Sequence, residues 1–266
     1  MKNYVDTDKY LHWLSQVIAK ANRTFVPAKE DDSHTNLYFD AIDFRIVGRW
    51  IETPKGKIIL SFNMINQSFE WQSDQKVLIQ SVETIGKTIT EIEDELQDGL
   101  KILGTENSNF SEKMHYEIPV YGFENDAIKE LEPEDLKEWA TNRRMANMVC
   151  KELLDYLHID SEIRIWPHHF DTGFYSSINP NMSIGFGWAM QDEMAGAPYF
   201  YMSGYPATGE IYYSETKELV TGRWEIGENW KGAILPVSDF ENIDFNETQM
   251  KIIGFLKSAC NWFAKQ

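Results

Sequence analysis

The sequence predicts an α+β protein, with largely antiparallel sheet packed by about four long amphipathic helices in an order that reads as two similar halves. Three observations carry this. Apolar residues recur at helical spacing in four separated stretches. Between them the pattern changes to alternation. The alternating segments follow one another through short turns rich in Gly and Pro, which favours antiparallel pairing. With 266 residues, including 9 Trp, 12 Tyr and 15 Phe, the chain can bury one large core or two small ones, since each ring removes about 150–250 Å² from water.

The first helix is expected over 7–23, where Leu11, Leu14, Ile18 and Ala21 share a face and Pro27 stands just beyond. A second is expected over 82–103, capped by Ser81, striped by Ile85, Ile89, Ile92, Leu96 and Leu103, and ended by Gly104. A third is expected over 134–157 behind Pro133, with Trp139, Ala146, Val149, Cys150, Leu153 and Leu157 inward. The last is expected from Glu247 to Ala264, with Asn246 and Gln249 spaced as a capping box.

Strands fill the intervals. Phe44, Ile46 and Trp50 alternate, Thr53-Pro54-Lys55-Gly56 is a turn, and Ile58, Leu60, Phe62 and Met64 alternate again, which together read as a β-hairpin. Leu37-Tyr38-Phe39, the Phe69/Trp71 pair and the stretch 114–121 read as further strands, the last an edge because of Pro119. Beyond the third helix, short strands are expected at 162–166, 169–175, 182–190, 199–203 and 231–235. The halves are placed at 1–121 and 136–266, with the acidic stretch 122–135 as linker, unless they merge into one continuous domain.

The net charge of −17 repels a phosphate backbone and an anionic membrane at long range, so neither nucleic acid nor membrane is an expected partner. The opening residues Met1-Lys2-Asn3-Tyr4-Val5-Asp6 lack an apolar signal core, and no run approaches the roughly 18 apolar residues of a spanning helix. Cys150 and Cys260 lie far apart in helical patterns and read as buried core thiols, so the cytoplasm is the expected compartment.

Two constellations could carry chemistry. In Trp166-Pro167-His168-His169-Phe170-Asp171, an extended backbone would put His168 and Phe170 on one face and His169 and Asp171 on the other. An imidazole and a carboxylate so placed can share a divalent metal such as zinc, iron or manganese, with Asp192 or Glu193 supplying a further ligand. The bland alternative is that Asp171 holds a structural network. The second constellation is the crowd of rings from Trp166 to Tyr205, including Phe170, Phe174, Tyr175, Phe186, Trp188, Tyr199, Phe200 and Tyr201. It suits a pocket for a small organic molecule, or else a sheet core with alternate rings inside. The ligand-binding candidates are therefore Trp166, His168, His169, Asp171, Tyr201 and Tyr205, and the metal candidates His169, Asp171 and Glu193. His12 and Gln16, one helical turn apart, are lesser candidates. No phosphate-binding loop, dinucleotide loop or nucleophile elbow is present.

The series W-P-H-H-F-D at 166–171, P-Y-F-Y at 198–201, Tyr205-Pro206, W-K-G-A-I-L-P at 230–236 and the closing F-L-K-S-A at 255–259, preceded by Leu11-His12-Trp13 and Gln16, resembles a family of uncharacterised, mostly bacterial proteins classed as a domain of unknown function. The resemblance spans nearly the whole chain. It implies one full-length unit in the cytoplasm and brings no activity, cofactor or catalytic residue. The expected role is that of a cytoplasmic small-molecule-binding protein. The alternatives are a metal-assisted hydrolase using a His/Asp site and a protein–protein interaction module built on acidic helices and exposed rings.

Overall fold

The computed structural model describes residues 2–105, 107–241 and 243–266. Among them are four α-helices and twelve strands, in two antiparallel sheets, which is an α+β fold. The chain separates into two units: Met1–Arg144 with Arg164–Phe170, and Met145–Ile163 with Asp171–Gln266.

In the first unit, α1 (Lys2–Phe25) is longer than the apolar periodicity predicts. Tyr4, Leu11, Leu14, Ile18 and Ala21 are buried on it, and so are the polar Asp8, His12, Ser15 and Asn22. A helix that buries polar side chains must bring partners for them. Six strands follow: β1 (Tyr38–Asp40), β2 (Arg45–Val47), β3 (Ile51–Thr53), β4 (Gly56–Asn63), β5 (Ser68–Ser73) and β6 (Leu78–Glu83), in the order β1-β2-β4-β5-β6 with β3 also on β4. The expected hairpin is present, with Thr53 opposite Gly56 and Gly56 at φ 117°, a conformation that favours glycine. Its first arm is interrupted, because β2 and β3 both pair with β4 and residues 48–50 lie between them. Gly48 marks the break. A Cβ there would stand 2.7 Å from Asn22 Oδ1 and 2.8 Å from Ile18 Cγ2, so α1 passes too close for any side chain.

The second helix, α2, is Ile89–Ile102, not 82–103. Val82 pairs with Phe69 in β6, Gly86 turns at φ 81°, and Thr88 is the N-cap. Thr88 Oγ1 accepts from the Glu91 amide at 3.3 Å while Glu91 accepts from the Thr88 amide at 2.8 Å. The reciprocal Thr-x-x-Glu cap outweighs the apolar spacing that extends upstream of it. The stretch 114–121 forms no strand. It is tied by side chains instead: the Tyr116 hydroxyl lies 3.0 Å from Gln16 Oε1 and the Tyr121 hydroxyl 2.7 Å from His12 Nδ1. Helix α3 (Pro133–Leu157) begins one residue before the predicted start. It crosses from the first unit into the second. Strand β7 (Arg164–Trp166) returns to the first unit, where Ile165 and Leu37 exchange backbone hydrogen bonds of 2.7 and 2.9 Å.

The second unit holds β8 (Asp171–Asn179), β9 (Met182–Ala189), β10 (Tyr199–Pro206), β11 (Arg223–Ile226) and β12 (Lys231–Pro236), in the order β11-β12-β10-β9-β8. β11 was not expected from the sequence. Helix α4 (Phe245–Phe263) packs on β10 and β12. Its cap is Asp244, which accepts from the amides of Asn246 at 2.8 Å and Glu247 at 3.0 Å; Asn246 lies inside the helix. Among the described residues no helix is long and apolar enough to cross a membrane.

Candidate functional site

The tetrapeptide Pro167-His168-His169-Phe170 is a turn, not an extended strand. The amide of Phe170 returns to the carbonyl of Trp166 at 2.7 Å, and Phe170 sits at φ 55°. The alternation of faces expected along 168–171 therefore does not exist. A phenylalanine tolerates the left-handed region only when its surroundings over-determine it, and here they do. Its ring is fully buried, stacked on His12 at 5.2 Å and on Trp139 at 5.9 Å, with the Arg143 guanidinium 4.7 Å from its centre.

Helix α1 holds the same turn by its backbone. The Pro167 carbonyl accepts from His12 Nε2 at 2.9 Å and from Gln16 Nε2 at 2.8 Å. Facing a carbonyl, His12 Nε2 must carry the proton, so Nδ1 accepts from the Tyr121 hydroxyl at 2.7 Å. Burial, reinforced by the nearby Arg143, pushes the His12 pKa down to about 4 and keeps the ring neutral. Gln16 Oε1 accepts from Tyr116 at 3.0 Å. The pair read from the sequence as a minor candidate is thus the support of the turn.

On that support stand two adjacent imidazoles. His168 is part-buried and His169 exposed, with ring centres 4.3 Å apart. Tyr116 lies 5.6 Å from His168. Among the described residues no hydrogen bond engages the ring nitrogens of either histidine. Burial, and then the neighbouring His169, lowers the His168 pKa to about 4. Asp32 and His115 lie within electrostatic reach of His168. Asp32 in turn pairs with His115 and stands 3.8 Å from His34. Five of the six histidines, His12, His34, His115, His168 and His169, thus belong to one electrostatically linked group in the first unit. His34, His115, Asp32 and Tyr116 were not foreseen. They come from segments some eighty and fifty residues apart, and no motif spacing links them; only the count of histidines is a signal.

Trp166 lies at the end of β7, part-buried, with the Arg164 guanidinium 5.4 Å from its ring. Asp171, Tyr201 and Tyr205 belong to the second unit. There the strand register sorts the rings by type. Phe174, Phe186, Trp188 and Phe200 are fully buried on one face. Tyr175, Tyr201 and Tyr205 point to the other, with Asp171, Gly185 and Gly187. Cβ atoms at Gly187 and Gly185 would meet the rings of Tyr201 at 3.1 Å and Tyr205 at 3.3 Å, so the bare glycines let two tyrosines lie against the sheet. The Tyr201 hydroxyl donates to Asp171 Oδ2 in a short bond. Burial, and then the Asp171 charge, holds the Tyr201 pKa well above its usual value, so the proton stays on the phenol. Half of the expected ring-lined pocket is therefore core, and the other half a tyrosine face.

Among the described residues no three His, Cys, Asp or Glu side chains stand so as to hold a metal ion. Asp192 is occupied in accepting from the Tyr199 hydroxyl at 2.6 Å and from the amides of Met194 and Ala195, each at 3.0 Å. Glu193 is exposed. Cys150 and Cys260 are buried and unpaired. Burial raises both thiol pKa values, that of Cys260 to about 11, which does not suit a nucleophile. Compared with family models, curated proteins and solved structures, the chain matches none.

Proposed function

We propose that the protein binds a small organic molecule at the histidine turn of its first unit, against Trp166, His168, His169 and Tyr116. One observation carries this: two neighbouring imidazoles with unengaged ring nitrogens stand on a turn that is itself immobilised by His12, Gln16 and the Phe170 stack. A binding site needs polar groups left for the ligand and a rigid shell that aims them. A purely structural histidine is normally satisfied within the protein. Asp171, Tyr201 and Tyr205, being engaged with one another and with the glycine strip in the second unit, serve in this reading as structure. A cytoplasmic setting fits the two buried, unpaired thiols. The likeness to an uncharacterised bacterial family adds no activity to choose between ligands.

A fragment screen read by the imidazole Cε1–H signals of labelled protein tests the proposal. Fragments that bind should move the His168 and His169 signals saturably, and His168→Ala should abolish the response while leaving the buried His12 signal in place. A diverse screen in which no fragment moves either signal ends the proposal.

A further inference from the structure

We infer that residues 114–121 form a strap that opens and closes over the histidine turn and so controls what reaches His168. The inference rests on the binding role proposed above and adds the device that regulates access to that site.

Its basis is how unevenly the segment is held. Upstream, Arg23 of α1 grips the chain, donating to the carbonyls of Phe110 at 3.4 Å, Glu112 at 3.1 Å and Lys113 at 2.8 Å. Downstream, Glu124 accepts from the amide of Gly122 at 2.9 Å, and the Phe123 ring lies 4.8 Å from that of Tyr10 and 5.4 Å from that of Trp13. Between these anchors, among the described residues, no backbone group from Met114 to Val120 makes a hydrogen bond to the rest of the backbone. A segment whose backbone is solvated rather than laddered opens at low free-energy cost. Gly122, at φ 90° and with nothing within 4 Å of where a Cβ would stand, is a hinge with room to turn.

Three side-chain contacts hold the strap down, and two of them converge. Tyr116 donates to Gln16 Oε1 at 3.0 Å, and Gln16 Nε2 donates to the Pro167 carbonyl at 2.8 Å. Tyr121 donates to His12 Nδ1 at 2.7 Å, and His12 Nε2 donates to the same carbonyl at 2.9 Å. Two tyrosines of the strap thus end, each through one α1 side chain, on a single atom of the histidine turn. Lifting the strap breaks both relays at their outer ends and frees Gln16 and His12 to reorient, so closure and an ordered turn go together. The third contact is His115 on Asp32, a latch between side chains 52% and 48% exposed. A pair so open to water is weak enough to break and remake. Tyr116 also supplies the cover: its ring lies 5.6 Å from that of His168, which is part-buried, while the adjacent His169 is exposed.

Diethyl pyrocarbonate, a small electrophile that acylates unprotonated imidazole, is the probe, applied near neutral pH with each histidine read by peptide fragmentation. Burial keeps the His168 pKa down at about 4, so its ring is unprotonated throughout and its rate reports access. Asp32→Asn keeps a residue suited to the left-handed φ of 59°. It should speed modification of His168 about two- to fivefold, the change in opening that corresponds to the loss of a half-exposed pair. The double variant Tyr116→Phe/Tyr121→Phe, which cuts both relays, should speed it about tenfold or more. In both, His169 should keep its wild-type rate, and the near-ultraviolet circular dichroism from the buried Trp71, Trp139 and Trp188 should be unchanged. If the double variant loses that spectrum, Asp32→Asn decides alone. An unchanged His168 rate overturns the strap, and so does an equal acceleration of His169, which marks a general loosening of the turn. Neither outcome needs a ligand, so the fragment screen upholds or ends the binding role separately.

Discussion

Asp8 and Arg143 form an ion pair at 2.7 Å between side chains that are 1% and 0% exposed. The same carboxylate oxygen accepts from Trp139 Nε1 at 2.7 Å, and the guanidinium lies 5.0 Å from the centre of the Trp139 ring. Two charges taken out of water cost several kcal/mol each, and they are tolerable only together. The pair connects α1 to α3 and, through Phe170, to the turn that carries His168 and His169.

Removing one partner should therefore be worse than removing both. Asp8→Asn or Arg143→Met alone is expected to cost about 3–5 kcal/mol in denaturant-monitored stability. The double variant Asp8→Asn/Arg143→Met should cost clearly less than the sum of the single variants. Additive losses would mean that the pair is not coupled.

Stability should fall on mild acidification, through His12. Its folded pKa, about 4, lies below the ordinary histidine value of 6.5. Between those values the unfolded chain takes a proton that the folded ring refuses, so unfolding is favoured as pH drops. The full contribution is present above about pH 6.5, is lost progressively toward pH 4, and changes no further below that. For a group so buried the loss is on the order of 3 kcal/mol. The groups facing His12 are Arg143, His168, His169 and Tyr121, and the first three oppose its protonation. His12→Gln should reduce the pH dependence of the unfolding free energy in that window, leaving the part due to His168, whose pKa is likewise lowered to about 4; an unchanged slope would contradict it.

Gly48→Ala should loosen the clamp at Asn22. The added methyl would stand 2.7 Å from Asn22 Oδ1 and 2.8 Å from Ile18 Cγ2. Overpacking of this kind costs about 1–3 kcal/mol. Because Asn22 also holds Arg49 and Asn36, the variant should both melt earlier and shift the His34 resonance. A lowered melting point with His34 unmoved would separate Gly48 from the site.

Tyr201→Phe deletes the donor that meets a nearly buried carboxylate, Asp171. The expected cost is about 1–3 kcal/mol, the desolvation of an acceptor left short of a partner. Chemical denaturation measures it. Neutrality would indicate that water replaces the hydroxyl.

Much of the fold was legible because periodicity and punctuation agreed. The span of α3 from Pro133 and the turn at Pro54-Lys55 were both readable from local chemistry alone. The start of α2 was not, since Val82 and Ile85 continue an apolar spacing that a Thr88/Glu91 cap and β6 pairing override. At the candidate site the sequence offered His168 and His169 but misjudged their backbone. The left-handed Phe170 is imposed by His12, Trp139 and Arg143, residues more than twenty positions away. The same distance hid the single bridge between Leu37 and Ile165. Tertiary contacts of that kind leave no trace in spacing.

That bridge also bears on how the protein is made. The first unit takes its last segment from residues 164–170, after the chain has left it at residue 144. A nascent chain that has just emitted α3 still lacks the partner of Leu37 and the ring that stacks on His12. Closing so long a loop is entropically slow, and until it closes the buried polar stripe of α1 has neither Pro167 nor Phe170 to meet. The first-made half must therefore wait for the later one, and a ribosome stalled near residue 144 would display a helix whose His12 Nε2 and Gln16 Nε2 still lack the Pro167 carbonyl.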